Sequence, residues 1–258
     1  MSAFSNIFNN TLKLNKINVS DTQIETFEKL YKALTETNKL YNLTAVTDEQ
    51  GVAGLHFCDS LMALPYLDGI SEKDNENNEF FTQNTENNAK KLLDIGCGAG
   101  FPCLPIAIAR PNIMVLGVDS TAKKVDFSSK FASENNLNNF NSISARAEEL
   151  AKTEQRESFD VVTARAVARL NILAELCLPF VKIGGYFLAM KGAKGVEELE
   201  EAQNGIKKLG GEVVTVEEKD LILPNETQSR SFILIKKTAK TPNAYPRAYA
   251  KIKKSPLK

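Results

Sequence analysis

The 258-residue sequence has no tryptophan, one histidine and only four cysteines. Cys58, Cys97, Cys103 and Cys177 form no CxxC pair and a lone imidazole cannot build a His-rich ligand set, so neither a metal centre nor a disulfide framework is expected. Any catalytic scheme has room for one imidazole at most. Long apolar runs are missing too: 104–109 and 113–118 fall far short of the roughly 18 residues that a membrane span needs. Met1 to Asn15 lacks a signal-peptide pattern. The expectation is a soluble cytoplasmic chain with no membrane partner, monomeric, and long enough at 43% hydrophobic residues to bury a substantial α/β core.

Acidic residues are absent from Lys236 to the end, where seven Lys and one Arg stand alone. The overall balance of 32 basic against 32 acidic groups therefore divides into a body with 24 basic and 32 acidic groups, net −8, and a basic tail. Such a tail is either a solvated, frayed terminus or, beside a site that handles nucleic acid, a contact to it.

Four regions follow from the patterning: an N-terminal helical region (1–70), an Asn-rich flexible insertion (71–90), a ligand-binding sheet domain (91–238) and the basic tail (239–258). Ser20 to Tyr41 reads as an amphipathic helix opened by a Ser20-x-x-Gln23 capping box, with Ile24, Phe27, Leu30, Tyr31, Leu34 and Tyr41 along one face. A second box, Thr47-x-x-Gln50, predicts a helix through about Leu64 that Pro65 helps to end. Residues 72–88 hold six Asn and five acids, a linker composition. Beyond Lys91, strands are predicted at Leu92–Ile95, Ile113–Val118, Phe140–Ser144, Phe159–Ala164 and Tyr186–Met190, with helices from Pro102, Ala122, Glu148, Val167 and Val196. This alternation is that of a doubly wound parallel sheet. Glu212–Glu217 and Ser231–Lys236 have no helix between them and should pair antiparallel at its edge, completing a seven-stranded, Rossmann-like sheet of the class I methyltransferase pattern.

The first strand runs into Asp94-Ile95-Gly96-Cys97-Gly98-Ala99-Gly100-Phe101-Pro102. Glycines at 96, 98 and 100 allow a sharp turn and close approach of a ligand at the carboxyl end of strand one. The spacing is GxGxG rather than GxGxxG, and Pro102 removes a donor that would serve a pyrophosphate, so a nucleoside without phosphates fits better than a nicotinamide dinucleotide. Asp119, closing strand two, can accept from both ribose hydroxyls or cap the next helix. Arg146-Ala147-Glu148 puts a small residue and an acceptor where an adenine would lie. Arg165 and Arg169 are expected to face one crevice, holding the ligand's amino-acid end or a substrate backbone, or else to form surface ion pairs. His56, Asp59 and Ser60 share a helical face but cannot converge as a catalytic triad. Substrate positioning or a polar contact with the sheet domain is the alternative, beside a structural role for His56.

Taken together, Asn42-Leu43-Thr44, His56-x-x-Asp59-Ser60-Leu61, the 94–102 loop, Arg146-Ala147-Glu148, Thr163-Ala164-Arg165-Ala166-Val167-Ala168, Lys191-Gly192 and Tyr245-Pro246-Arg247 resemble the RsmG (GidB) family, guanine-N7 methyltransferases of bacterial 16S ribosomal RNA. The resemblance implies S-adenosyl-L-methionine held by Gly96, Gly98, Phe101, Ala147, Glu148 and Arg165, with Asp119 on the ribose from the argument above. Substrate positioning is expected of His56, Arg169 and Lys191, and the charge distribution points to contacts to 16S ribosomal RNA or the small ribosomal subunit from Arg165, Arg169, Arg247, Lys251, Lys253 and Lys254. After Pro246-Arg247 the family's usual Gly-Thr-Pro gives way to Ala248-Tyr249-Ala250. Guanine N7 carries an in-plane lone pair and no proton, so transfer to it needs alignment more than a base. No Cys ends strand four, as a carbon methylation would require, and no Asn-Pro-Pro turn stands there for amine methylation. The alternatives are a methyltransferase of the same fold acting on a small molecule or protein, and a non-catalytic RNA-binding assembly factor.

Overall fold

A computed structural model describes residues 2–69 and 89–257. The expected Asn-rich insertion lies almost wholly outside these residues. Helix α1 (Ala3–Leu14), capped by the Ser2 hydroxyl, buries Phe4, Phe8 and Leu12 at intervals of four. Helix α2 (Asp21–Asn38) carries the expected capping box, Ser20 and Gln23 each bonding the other's backbone. It ends before Tyr41, which is exposed rather than part of the buried face. Phe4, Phe8, Phe27 and Phe57 form one aromatic cluster that joins these helices to the next segment.

That next segment corrects two expectations. Asp48, not Thr47, caps α3 (Glu49–Gly51), its carboxylate accepting from the Gly51 amide at 2.8 Å. The helix then widens into a π-helical turn over Val52–Cys58 before α4 (Asp59–Leu61), and residues 64–69 are helical again. Pro65 thus lies in the first turn of a new helix, where its missing N–H costs nothing, instead of ending the old one.

The sheet comprises β1 (Lys90–Ile95), β2 (Ile113–Asp119), β3 (Phe140–Ser144), β4 (Phe159–Arg165), β5 (Val181–Gly192), β6 (Gly211–Ile222) and β7 (Thr227–Lys237), in the order β3-β2-β1-β4-β5-β7-β6. The first five strands are parallel, and β7 lies antiparallel between β5 and β6. Alternate residues serve opposite faces: Leu92, Val161, Leu188 and Leu234 join the N-terminal helices in one core, whereas Leu93, Val162, Phe187 and Ile233 join the other. Helices α5 (Cys103–Ala109), α6 (Ala122–Glu134), α7 (Ala147–Leu150), α8 (Leu170–Cys177) and α9 (Gly195–Lys208) make the connections. The one after β3 is a single turn, and α8 starts three residues later than predicted.

The tail is packed, not frayed. Thr241 is held by Glu157 and the Leu209 carbonyl, and Arg156 bonds the carbonyls of Thr241 and Tyr245. A last helix, α10 (Tyr249–Lys254), buries Ile252 completely. Lys237, fully buried, donates to the Leu178 carbonyl at 2.7 Å and to Thr241 Oγ1. Burial lowers its pKa to about 8.

Candidate functional site

The order of strands reverses between β1 and β4, and loops leaving the sheet there part to open a crevice, the usual ligand position in open α/β sheets. After β1 the chain turns with φ of +73° at Gly96, +55° at Gly98 and +98° at Gly100. A side chain at Gly96 would strike Val167 at 2.4 Å, while Gly98 faces open space. Close approach to the backbone is therefore available at Gly98, and Gly96 is needed for the β4 loop to lie against the turn.

A cavity of about 160 Å³ opens beside this turn, lined among others by Gly96, Asp119, Ala147, Glu148, Val167 and Tyr249. Asp119 Oδ2 accepts from the Gly98 amide at 3.0 Å, and Oδ1 accepts from the Thr121 amide at 2.8 Å. The acid thus fixes the turn and the following bend at once. Each oxygen keeps acceptor capacity for a ribose, but Asp119 does not cap the next helix, whose N-cap is Thr121. Open space at Gly98, acceptors at Asp119 and Glu148 and the small Ala147 suit a nucleoside. Behind the turn, Asp94 is completely buried and accepts from Thr163 Oγ1 at 3.1 Å; burial pushes its pKa up to about 7.

A second cavity, of about 340 Å³, is lined by Leu55, His56, Asp59, Arg165, Ala166, Met190, Lys191, Gly192, Arg230 and Phe232. Ala166 faces this cavity and Val167 the first, so the short β4 loop is the partition between them. Ala166 sits at φ +56°, a conformation that a non-glycine residue rarely adopts and that surrounding packing must hold.

Asp59 is the hub of the second cavity. Arg165 Nη1 donates to Oδ2 at 2.9 Å and to the Leu55 carbonyl at 3.1 Å, and Arg230 Nε donates to Oδ1 at 2.8 Å. The polar contact expected between the helical region and the sheet domain is this double ion pair, made by Asp59. Lys191 donates to the Ala168 carbonyl at 2.7 Å and pairs with Glu198 at 2.8 Å. His56 bonds Thr44 Oγ1 through Nε2 at 2.8 Å and stacks on Phe101 at 4.6 Å between centroids. Burial, helped by the Arg165 charge, lowers its pKa to about 4, so the imidazole is neutral at pH 7.

Three expected residues stand elsewhere than the sequence suggested. The Phe101 ring packs on His56 and Phe57, on the second cavity's side. Arg169 does not share the crevice with Arg165: it lies at the start of α8 and takes the expected alternative of a surface ion pair, with Glu201. Arg247 is not a free RNA contact, because its guanidinium clasps the fully buried Glu175 at 2.8 and 2.6 Å. Lys251, Lys253 and Lys254 do remain exposed. Conversely, Arg230 and Tyr249 line the cavities and carried no motif. Arg230 is 171 positions from Asp59, and only the β5–β7 register, which sets it opposite Gly192, brings it in.

The family model described as "rRNA small subunit methyltransferase G" matches residues 23–223. Proteins named ribosomal RNA small subunit methyltransferase G are similar over nearly the whole chain. The one from Staphylococcus carnosus is 42% identical over 248 residues, 95% of each chain. That from Exiguobacterium sibiricum is 43% identical over 242 residues, 93% of this chain and 94% of its own. With a glycine turn, an acid after β2 and a two-chambered crevice already in place, a match of this extent shows that the chain belongs to the rRNA small subunit methyltransferase G family.

Proposed function

We propose that the protein transfers a methyl group from S-adenosyl-L-methionine to N7 of a guanine in 16S ribosomal RNA. The observation that carries this reading is the pair of cavities lined by adjacent residues of the β4 loop, the one at Val167 suited to a nucleoside and the one at Ala166 ringed by Arg165, Arg230 and Lys191. When bound, S-adenosyl-L-methionine supplies a methyl group already activated on a sulfonium.

Gly98 would admit the cofactor to the backbone of a turn that Gly96 lets the β4 loop pack against, Asp119 would accept from its ribose, and Ala147 and Glu148 would border its base. Across the partition, Arg165 and Arg230 leave a net positive charge after Asp59 is counted, and Lys191 is balanced by Glu198. That field favours a nucleotide and its phosphates. The candidate bases near the second cavity are weak ones: Asp59 accepts from two guanidinium groups, and His56, bonded to Thr44 through Nε2 and with Nδ1 buried without a partner among the described residues, has its pKa lowered to about 4 by burial. A reaction that removes no proton suits this arrangement, and guanine N7 offers its lone pair directly. Met190, Phe232 and Leu55 give the second cavity apolar wall for a base to lie against. The Hoogsteen edge is sunk in the deep groove of an RNA helix, so the substrate is an unpaired or displaced guanine. Exposed Lys251, Lys253 and Lys254 add phosphate contacts outside the crevice.

Label from methyl-tritiated cofactor should enter small-subunit RNA, and strand cleavage specific for N7-methylguanine should map it to one position. Transfer to a position insensitive to that cleavage would reject the N7 assignment.

A further inference from the structure

The C-terminal tail reaches the nucleoside cavity, and that contact points away from a purely RNA-binding role. Its path is built at every step. Thr238 and Ala239 amides donate to the Gly210 carbonyl, Thr241 is anchored on Glu157 and Leu209, and Arg156 holds the carbonyls at 241 and 245. Arg247 donates through both its amide and its guanidinium to buried Glu175 on α8 and closes back on the Ser255 carbonyl at 3.0 Å. The residue after Glu175, Leu176, lines the nucleoside cavity, as does Tyr249 two residues past Arg247. Ile252 and Leu257 seat the rest of the tail on the core, Ile252 with no exposure at all. Tyr249 is thus a half-buried aromatic delivered to the cavity by anchors on both sides of it.

We propose that Tyr249 forms a wall of the cofactor pocket and that the tail is a cofactor-binding element of this protein. The inference rests on the nucleoside reading of that cavity. An aromatic ring beside Val118, Val167 and Leu176 offers apolar and dispersion contact to a nucleoside. Since the tail and the ligand then share a surface, linkage requires each to stabilise the other's position.

The absence of tryptophan supplies the test. Tyr249→Trp keeps an aromatic ring and makes it the only indole in the chain, so its emission reports on this position alone. Titration with S-adenosylhomocysteine should change that emission along the same curve that calorimetry gives for binding. In the same calorimeter Tyr249→Ala should bind about fivefold to tenfold more weakly, and Tyr249→Phe within twofold of the unmodified protein. Indole emission unchanged at saturating S-adenosylhomocysteine overturns the proposal, as does Tyr249→Ala binding at full strength. An equal loss in Tyr249→Phe overturns the ring-face contact in favour of the hydroxyl. If the unmodified protein itself fails to bind S-adenosylhomocysteine, the failure belongs to the nucleoside reading of the cavity and the proposal falls with it.

Discussion

At the scale of single residues, His56 carries the sharpest expectation. Its folded pKa of about 4 lies below the ordinary 6.5, so between these values the unfolded chain binds more protons than the folded one. Acidification through that window therefore removes stability. Asp94 works the other way: held near 7 instead of 3.8, it binds more protons when folded and adds stability as pH falls from 7 towards 4. The two slopes oppose each other, so the overall acid stability curve is a poor gauge of either. Proton NMR is a direct one, because one histidine gives a single imidazole Hε1 signal. The signal should titrate near pH 4; a midpoint at 6 or above would mean that the ring is not buried against Phe101. Asp59 belongs to the same scale. Removing its carboxylate in Asp59→Ala leaves Arg165 and Arg230 as partly buried, unpaired charges, and should cost about 3 kcal/mol in chemical denaturation.

Elements were legible in the sequence where local chemistry alone sets them. Ser20 and Gln23 are three positions apart and need nothing else to cap α2; Ser20→Ala should lower stability by about 1 kcal/mol, read as a shift in denaturation midpoint with unchanged slope. Strands β1, β2 and β4 are short, largely buried apolar runs and β3 is a shorter edge strand, and all four emerged within two residues of their predicted ends. The N-terminal boundary of β5 and the extent of β6 were harder. Gly184 and Gly185 interrupt the apolar pattern of β5, and β6 is an edge strand with alternating exposure, so backbone pairing continues beyond any hydrophobic signal. The π-helical turn at Val52–Cys58 has no such local signature. It fits Phe57 into the aromatic cluster while His56 lies on Phe101, a demand made by packing from other elements.

At the scale of the whole molecule, the separation of charge along the chain becomes a question of where the tail lies. Folded back, it retires Arg247 and Lys237 into internal contacts and leaves Lys251, Lys253 and Lys254 outside. Neutralising these three as Gln should reduce the steepness with which log affinity for small-subunit RNA falls with log salt, by up to about 2, since each lost phosphate contact removes roughly 0.7 from the slope. The cofactor affinity of that variant should be unchanged, because none of the three lysines lines the nucleoside cavity. An unaltered salt slope would put the RNA-binding face elsewhere.

The sequence by itself determined the alternation of strands and helices, the turn at Gly96 to Gly100, the acid at Asp119 and the absence of a metal-binding or disulfide pattern. Each of these is a property of neighbouring residues or of composition, so it is readable along one dimension. Tertiary structure alone decided that Asp59 joins Arg165 to Arg230, that Arg169 and Arg247 are tied to carboxylates, and that Tyr249 reaches the nucleoside cavity. These pairings unite residues separated by 32 to 171 positions. They depend on strand order, register and the return path of the tail, which set distance in space independently of distance along the chain.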